Sequence, residues 1–299
     1  MAKYSRIEWT DATWSPVTGC TPVSEGCQNC YAKRMANRLR GRCGYPADEP
    51  FKVTLHKDRL EEPLRLKKPR RVFVCSMGDL FHEDVPRWMM FEVMDIILQA
   101  KQHTFLILTK RPANMKEFFE WYYSKSGRTI ETIKNLWLGV TAENQQRADE
   151  RIPILLQIPA AVLFVSIEPM LGPVDLASTG ALGCTCPPLE GDDGQIEERC
   201  SGQCVFYKNA VDKMKRINWV ICGGETGPGA RPMRLNWVRS LRDQCQTAGI
   251  SFFFKAWGEY GPNWLNDDNG KIEGSEWMDR MGKKATGRLL DGRTWDEMP

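Results

Sequence analysis

The chain has 299 residues, enough for one large core or two modest ones, and its 42% hydrophobic and 26% charged residues are ordinary for a soluble globular protein. No apolar run is long enough to cross a bilayer and the N-terminus lacks the apolar core of a signal peptide, so we expect a cytoplasmic protein. The net charge is +3 and there are eleven cysteines, which in such a chain favour metal ligation or redox chemistry over disulfides.

Three cysteines follow the first predicted strand. Six residues separate Cys20 from Cys27, and two separate Cys27 from Cys30. A loop that leaves a strand and enters a helix can aim three thiolates at one point, and three thiolate ligands leave one iron of a [4Fe–4S] cluster open to another ligand. A structural zinc site with Cys43 as the fourth ligand, or three unrelated thiols, would also fit this spacing.

Positive charge is concentrated around this loop. Residues 1–75 carry fifteen Lys and Arg against eight Asp and Glu. Most of the excess lies in two runs, 33–42 and 65–71. Basic residues beside a reactive centre can bind a polyanion such as DNA. The alternative is that both runs form ordinary solvated faces.

Six apolar segments recur along the chain, each followed by polar residues and then by a helical pattern. Their unbroken apolar character is typical of strands buried on both faces of a parallel sheet. Crossover helices are expected between them, for example over 87–101 and 144–157. The sequence therefore predicts an α/β fold with a parallel (β/α) barrel, complete or partial, over 1–257; a doubly wound open sheet is the alternative. The segments are 71–75, 104–108, 136–140, 161–165, 218–222 and 251–254.

Polar side chains stand where the predicted strands end, the edge at which parallel α/β folds bind ligands. Ser, Thr and Asp there can simply cap the next helix. Capping does not account for the long charged side chains of Lys110, Glu168 and Lys255, so we expect a site. Its candidate residues are Ser76, Asp79, Thr109, Lys110, Thr141, Glu143, Ser166, Glu168, Glu225 and Lys255.

Two stretches break the strand–helix rhythm. The insertion 175–204 holds Cys184, Cys186, Cys200 and Cys204, whose two close pairs predict a zinc clip or an auxiliary iron–sulfur cluster, with unligated thiols as the remaining alternative. The tail 258–299 has no sustained period. We expect it to form an irregular cap packed over the barrel mouth by its tryptophans, Trp264, Trp277 and Trp295, with Lys283, Lys284 and Arg288 near phosphates or on ordinary surface.

The cysteine loop at a barrel mouth resembles the radical S-adenosylmethionine (SAM) superfamily. Two departures are visible: the first gap is six residues rather than three, and Asn29 rather than an aromatic residue precedes the third cysteine, with Tyr31 after it. The Gly223-Gly224-Glu225 triplet falls too late in the chain for the SAM-binding role of a similar triplet in that superfamily.

An ordered set of motifs over nearly the whole chain is similar to the phage-associated three-cysteine-motif family, a divergent radical SAM-like group long of unknown function. The resemblance implies a [4Fe–4S] cluster on Cys20, Cys27 and Cys30, SAM on its open iron, and a 5′-deoxyadenosyl radical. The matching segments are 20–31, 74–82, 108–112, 137–141, 166–173, 223–232, 254–258 and 282–296.

The same resemblance implies an isomerase or nucleobase-modifying enzyme, with an amino-acid adduct on thymidine in phage DNA as the expected substrate and a flavodoxin- or ferredoxin-type electron donor. SAM and substrate would contact Tyr31, Ser76, Asp79, Thr109, Thr141, Glu143 and Ser166. Lys110, Glu168 and Lys255 are the catalytic candidates, and the two lysines could hold a carboxylate or phosphate. Two alternatives stay open: a zinc-stabilised nucleic-acid-binding module without chemistry, and a radical enzyme acting on a free nucleotide or small metabolite.

Overall fold

A computed structural model describes residues 5, 7–126, 133–183, 215–262 and 277–299, together with the backbone of the paired strands Leu189–Glu190 and Ile196–Glu197. The predicted metal ligands Cys184, Cys186, Cys200 and Cys204 lie outside these residues, as does Trp264. The predicted second cysteine site therefore stays a prediction.

Seven parallel strands form one sheet whose spatial order follows the sequence. A doubly wound sheet would reverse its order after the first strands, so the barrel prediction is confirmed. The sheet ends at its first and last strands, which makes the barrel partial. The strands are β1 (Ala12–Trp14), β2 (Arg71–Val74), β3 (Thr104–Thr109), β4 (Leu136–Thr141), β5 (Val162–Ile167), β6 (Trp219–Gly223) and β7 (Ser251–Ala256).

Helices connect most of these strands, as the right-handed crossover of parallel strands requires. They are α1 (Tyr31–Arg38), α2 (Arg87–Gln99), α3 (Pro112–Ser126), α4 (Gln145–Leu155), α5 (Leu235–Ala248) and the short α6 (Lys283–Thr286). The helices predicted over 87–101 and 144–157 are confirmed with slightly shorter ends. Asn144 caps α4 by accepting a hydrogen bond from the Arg147 backbone N–H. None of the helices that the structure describes has the length and apolar character needed to span a membrane.

The two faces of the sheet bury different sets of side chains. One face packs against the helices in a large core that includes Val74, Ile107 and Val165. The other is covered by a compact aromatic cluster around Trp9, which precedes β1 yet lies 6.0 Å from the Trp219 ring on β6, centroid to centroid. A contact between those two positions requires a curled sheet. The cluster also contains Phe73, Leu106, Phe164, Ile221 and Phe253.

The tail after β7 lies partly along the sheet edge. Strand Tyr260–Pro262 pairs with Met278–Arg280, and the Phe254 backbone N–H then donates to the Trp295 carbonyl. Trp295 packs against Phe252 on the helix side rather than over the mouth, and the Trp277 side chain is 77% exposed. The prediction that these two tryptophans cover the mouth is therefore wrong, although Lys283 of α6 does reach the cavity described next.

Candidate functional site

A cavity of about 400 Å³ opens at the carboxyl ends of the strands. It gathers residues from the carboxyl ends of the seven strands and from the loops that follow several of them, so residues far apart in sequence meet there. Thirteen of the predicted site residues line it: Cys20, Cys27, Cys30, Tyr31, Ser76, Asp79, Thr109, Lys110, Thr141, Ser166, Glu168, Glu225 and Lys255.

The three cysteines lie on one wall of this cavity and none is in a disulfide. Cys27 ends a one-turn 3-10 helix, Glu25–Cys27, and Cys30 stands immediately before α1. Within the described residues, no three His, Cys, Asp or Glu side chains converge closely enough to hold a single metal ion. Three thiols on one cavity are the kind of donor set that an iron–sulfur cluster with one open iron uses. Cys43 is exposed and does not line the cavity, which disfavours the four-cysteine zinc alternative.

The environments of Cys20 and Cys27 differ in charge. Burial raises the pKa of Cys20 to about 11, with the Asp79 carboxylate adding to the shift and Arg111 opposing it. Burial also favours the neutral form of Cys27, but the Lys110 ammonium and hydrogen bonds with the backbone at Val23 and Ser24 outweigh it and lower the pKa of that thiol. Cys20 thus has Arg111 beside it and Cys27 has Lys110 beside it.

Asp79 and Arg111 form a buried network behind Cys20. Thr109 Oγ1 donates to both oxygens of Asp79, at 2.8 and 2.9 Å. Arg111 donates to Cys20 Sγ at 3.3 Å and to Asp79 Oδ2 at 3.4 Å. Arg111 was not predicted as a site residue, although it directly follows Thr109 and Lys110 at the end of β3. Its burial was the property that the sequence did not reveal.

Glu143 lies behind the cavity wall rather than in it. Its carboxylate is fully buried and accepts from Lys110 Nζ at 2.5 Å, from Ser24 Oγ at 2.6 Å and from Arg151 at 2.9 Å. Burial would raise the pKa of Glu143, but the charges of Lys110 and Arg151 and the hydrogen bonds from Lys110 and Ser24 hold it below its ordinary value. This carboxylate therefore positions Lys110 and the cysteine loop instead of contacting a ligand.

The cysteine loop is tied to the start of α4. Arg147 donates to Glu25 Oε2 at 2.9 and 3.2 Å, and the Asn144 amide donates to the other oxygen. A Cβ on Gly26 would lie 2.3 Å from Glu143 Oε1. Only glycine lets this turn approach the buried carboxylate so closely.

The opposite side of the loop is tied to the glycine-rich turn after β6. Glu225 accepts from Asn29 at 3.0 Å and from Arg231 at 2.7 and 2.9 Å. Arg231 also donates to the Glu25 carbonyl at 3.0 Å. The run 223–232 was noted in the sequence only as a segment that matches the family, because its contact with Asn29 joins residues 196 positions apart.

The remaining wall carries a second ion pair and several hydroxyls. Lys255 Nζ donates to Glu168 Oε1 at 2.5 Å, and both side chains are partly open to the cavity. Thr141 and Ser166 are buried on the same wall. Tyr31 donates through its hydroxyl to the Ser76 carbonyl.

The two basic runs lie at different ends of the barrel. Lys33 and Arg38 are exposed on α1, directly after the third cysteine. The run 65–71 leads into the amino end of β2, where Arg71 pairs with Asp11 at 3.4 Å. That is the edge of the sheet opposite the cavity. The expectation that both runs flank one site is therefore wrong, and only the run on α1 adjoins it.

Comparison with known proteins gives a family but no activity. No curated protein and no solved structure matches the chain significantly. A family model described as "Protein of unknown function (DUF5131)" matches residues 4–299. Because that match spans nearly the whole sequence, the chain belongs to the DUF5131 family.

Proposed function

We propose that this chain is an iron–sulfur enzyme of the radical SAM type. The observation that carries the proposal is that Cys20, Cys27 and Cys30 line a single cavity together with polar side chains from the other strand ends. Three thiolates are the donor set of a cluster with one open iron. When bound, such a cluster and SAM supply a carbon-centred radical that abstracts a hydrogen atom.

The chain's own part in this chemistry is to hold the cofactors, to orient the substrate and to exclude water. The cysteine loop is fixed on one side by Glu143 and on the other by Glu225, so its thiols are held in place before any ligand binds. The Thr141 and Ser166 side chains offer hydroxyl groups to polar atoms of cofactor or substrate, whereas the Thr109 hydroxyl is already bonded to Asp79. Beneath them the apolar cluster around Trp9 closes the floor.

Lys255 and Glu168 are the groups best placed to bind substrate, because their ion pair faces the cavity and an incoming carboxylate, phosphate or ammonium can replace either partner. Lys110 adds a second positive charge near Cys27. We propose a nucleobase in DNA as the substrate, in particular an amino-acid adduct on thymidine that is isomerised. The exposed cations of α1 beside the cavity support a polyanionic substrate.

Iron and sulfide analysis of anaerobically reconstituted protein tests the cluster. We expect the wild-type chain to bind iron and sulfide and to form 5′-deoxyadenosine from SAM and a flavodoxin- or ferredoxin-type reductant. Cys27→Ala should lose both properties, whereas Cys43→Ser, at an exposed cysteine outside the cavity, should keep them. Wild-type protein that binds zinc but neither iron nor sulfide would refute the proposal.

Activity on a modified duplex, compared with activity on the free modified nucleotide, tests the substrate. Turnover of the duplex alone would support DNA. Turnover of the nucleotide alone would favour a small-molecule substrate. Salt-dependent DNA binding that survives Cys27→Ala, without any SAM cleavage, would instead favour a nucleic-acid-binding module.

A further inference from the structure

Arg111 uses its whole guanidinium group to join the cysteine loop to the end of β3. Nε donates to both oxygens of Glu83 at 3.0 Å. One terminal nitrogen donates to Cys20 Sγ at 3.3 Å and to Asp79 at 3.4 Å. The other donates to the carbonyl and the hydroxyl of Thr21, at 3.1 and 2.9 Å.

This guanidinium is shielded from water. The Arg111 side chain is only 4% exposed, and Asp79 beside it is 7% exposed, so solvent screens the charge of either group weakly. Glu83, the third charged member, is 60% exposed and its charge is screened more strongly. Cys20 therefore lies against one buried positive and one buried negative charge at fixed positions.

We propose that Arg111 is a positioning residue that raises the reduction potential of the cluster held by Cys20, an inference that rests on the proposed function. Reduction adds one electron to the cluster and makes its thiolate sulfurs more negative. A buried cation that donates a hydrogen bond to one of those sulfurs stabilises the reduced form more than the oxidised form. Asp79 acts in the opposite direction, because its carboxylate repels the added electron.

A redox titration of the anaerobically reconstituted protein, followed by electron paramagnetic resonance without SAM, tests this role independently of turnover. Arg111→Gln should lower the equilibrium constant for reduction of the cluster about tenfold. For a one-electron couple this moves the midpoint potential by about 59 mV in the negative direction. Arg111→Lys retains the charge but not the fork of donors, so its midpoint should lie between those of wild type and Arg111→Gln. Asp79→Asn should move the midpoint in the positive direction.

Lys283→Gln provides the matched control. Lys283 also lines the cavity, but its side chain is 48% exposed and its ion-pair partner is Glu8 rather than a cysteine neighbour. Removing that screened charge should move the midpoint less than Arg111→Gln does.

The outcomes separate this inference from the proposed function. If wild type forms no cluster, both fail. If wild type forms a cluster and the midpoint of Arg111→Gln is unchanged, or is shifted no more than that of Lys283→Gln, the role of Arg111 fails and the proposed function stands. If Arg111→Gln retains no cluster, Arg111→Lys decides: a midpoint below that of wild type supports the inference, and an unchanged one overturns it.

Discussion

At the scale of single residues, the site depends most on side chains that do not face the cavity. Glu143 is the clearest case, because one carboxylate joins Lys110, Ser24 and Arg151. Two cationic side chains and one hydroxyl that donate hydrogen bonds can offset the cost of burying a carboxylate. The carboxylate thereby couples a strand end, the cysteine loop and a helix.

Glu143→Gln should lower the free energy of unfolding by roughly 3 kcal/mol, because two cations are then buried beside a neutral amide. Denaturant unfolding followed by circular dichroism measures this change. Glu150→Gln, at an exposed residue that pairs with Arg147 on α4, should change stability by less than about 0.5 kcal/mol. Equal effects of the two variants would contradict the structural role of Glu143.

Most of the cavity-lining residues could be predicted from the sequence because they follow apolar strands directly. The edge of a parallel sheet brings such residues together whatever the details of packing. Arg111, Arg231 and Asn29 were missed because their roles come from contacts between distant segments. Whether a polar residue after a strand faces the cavity, as Thr109 does, or lies behind it, as Glu143 does, depends on loop conformation and not on residue type.

At the scale of elements, the cysteine loop is a turn held between two neighbours. The 3-10 helix Glu25–Cys27 rests on Glu143 through Gly26 and on α4 through Glu25. Such a turn is too short to be stable on its own. Its conformation, and with it the direction of the Cys27 thiol, is set by those contacts.

Gly26→Ala should displace this turn, because its new Cβ would meet the buried Glu143 carboxylate at 2.3 Å. We expect reconstituted protein to lose bound iron while its circular dichroism spectrum stays native. Ser24→Ala is the control: it removes one hydrogen bond to Glu143 without a clash and should retain more iron. Full iron binding by Gly26→Ala would contradict this account of the loop.

The Glu25–Arg147 contact should make the loop sensitive to acid. The hydrogen bond from Arg147 is the main cause that lowers the pKa of Glu25 to about 2, from 4.5. A carboxyl group with a lowered folded-state pKa stabilises the fold fully above its unfolded pKa, and this contribution disappears as the pH falls toward the folded value.

Unfolding of wild type and Glu25→Gln between pH 7 and pH 3 measures this contribution. Wild type should be the more stable protein near neutral pH, and the difference should shrink steadily below about pH 4.5. A difference that stays constant across this range would show that the contact contributes no pH-dependent stability.

At the scale of the whole molecule, the strand order could be predicted and the closure of the barrel could not. Unbroken apolar segments alternating with helical ones leave few arrangements for a parallel sheet. The tail 258–299 has no such pattern, and the structure divides its residues between the β7 edge and the cavity mouth. The aromatic residues of the tail indicated that parts of it would be buried, but not which surface of the barrel they would pack against.

Two tryptophans of the tail provide a matched test of that division. Trp295 is 8% exposed, packs on Phe252 and lies under the guanidinium of Arg293 at 3.5 Å. Trp295→Ala should cost roughly 3 kcal/mol of stability. Trp277→Ala should cost less than about 0.5 kcal/mol, since its side chain is 77% exposed. Thermal unfolding of both variants checks the difference. A larger loss of stability from Trp277→Ala than from Trp295→Ala would contradict this position of the tail.

The long-range ties of the cysteine loop have a consequence for how the protein is made. Cys20, Cys27 and Cys30 are synthesised early, but their loop is fixed by partners up to 206 residues further along the chain. Synthesis at about 5–20 residues per second leaves the loop without the last of these partners for about ten seconds or more. During that interval its thiols are open to oxygen and to competing metals. If the proposed cluster is bound, its insertion should therefore follow the synthesis of residue 231, and nascent chains halted before that point should hold iron poorly.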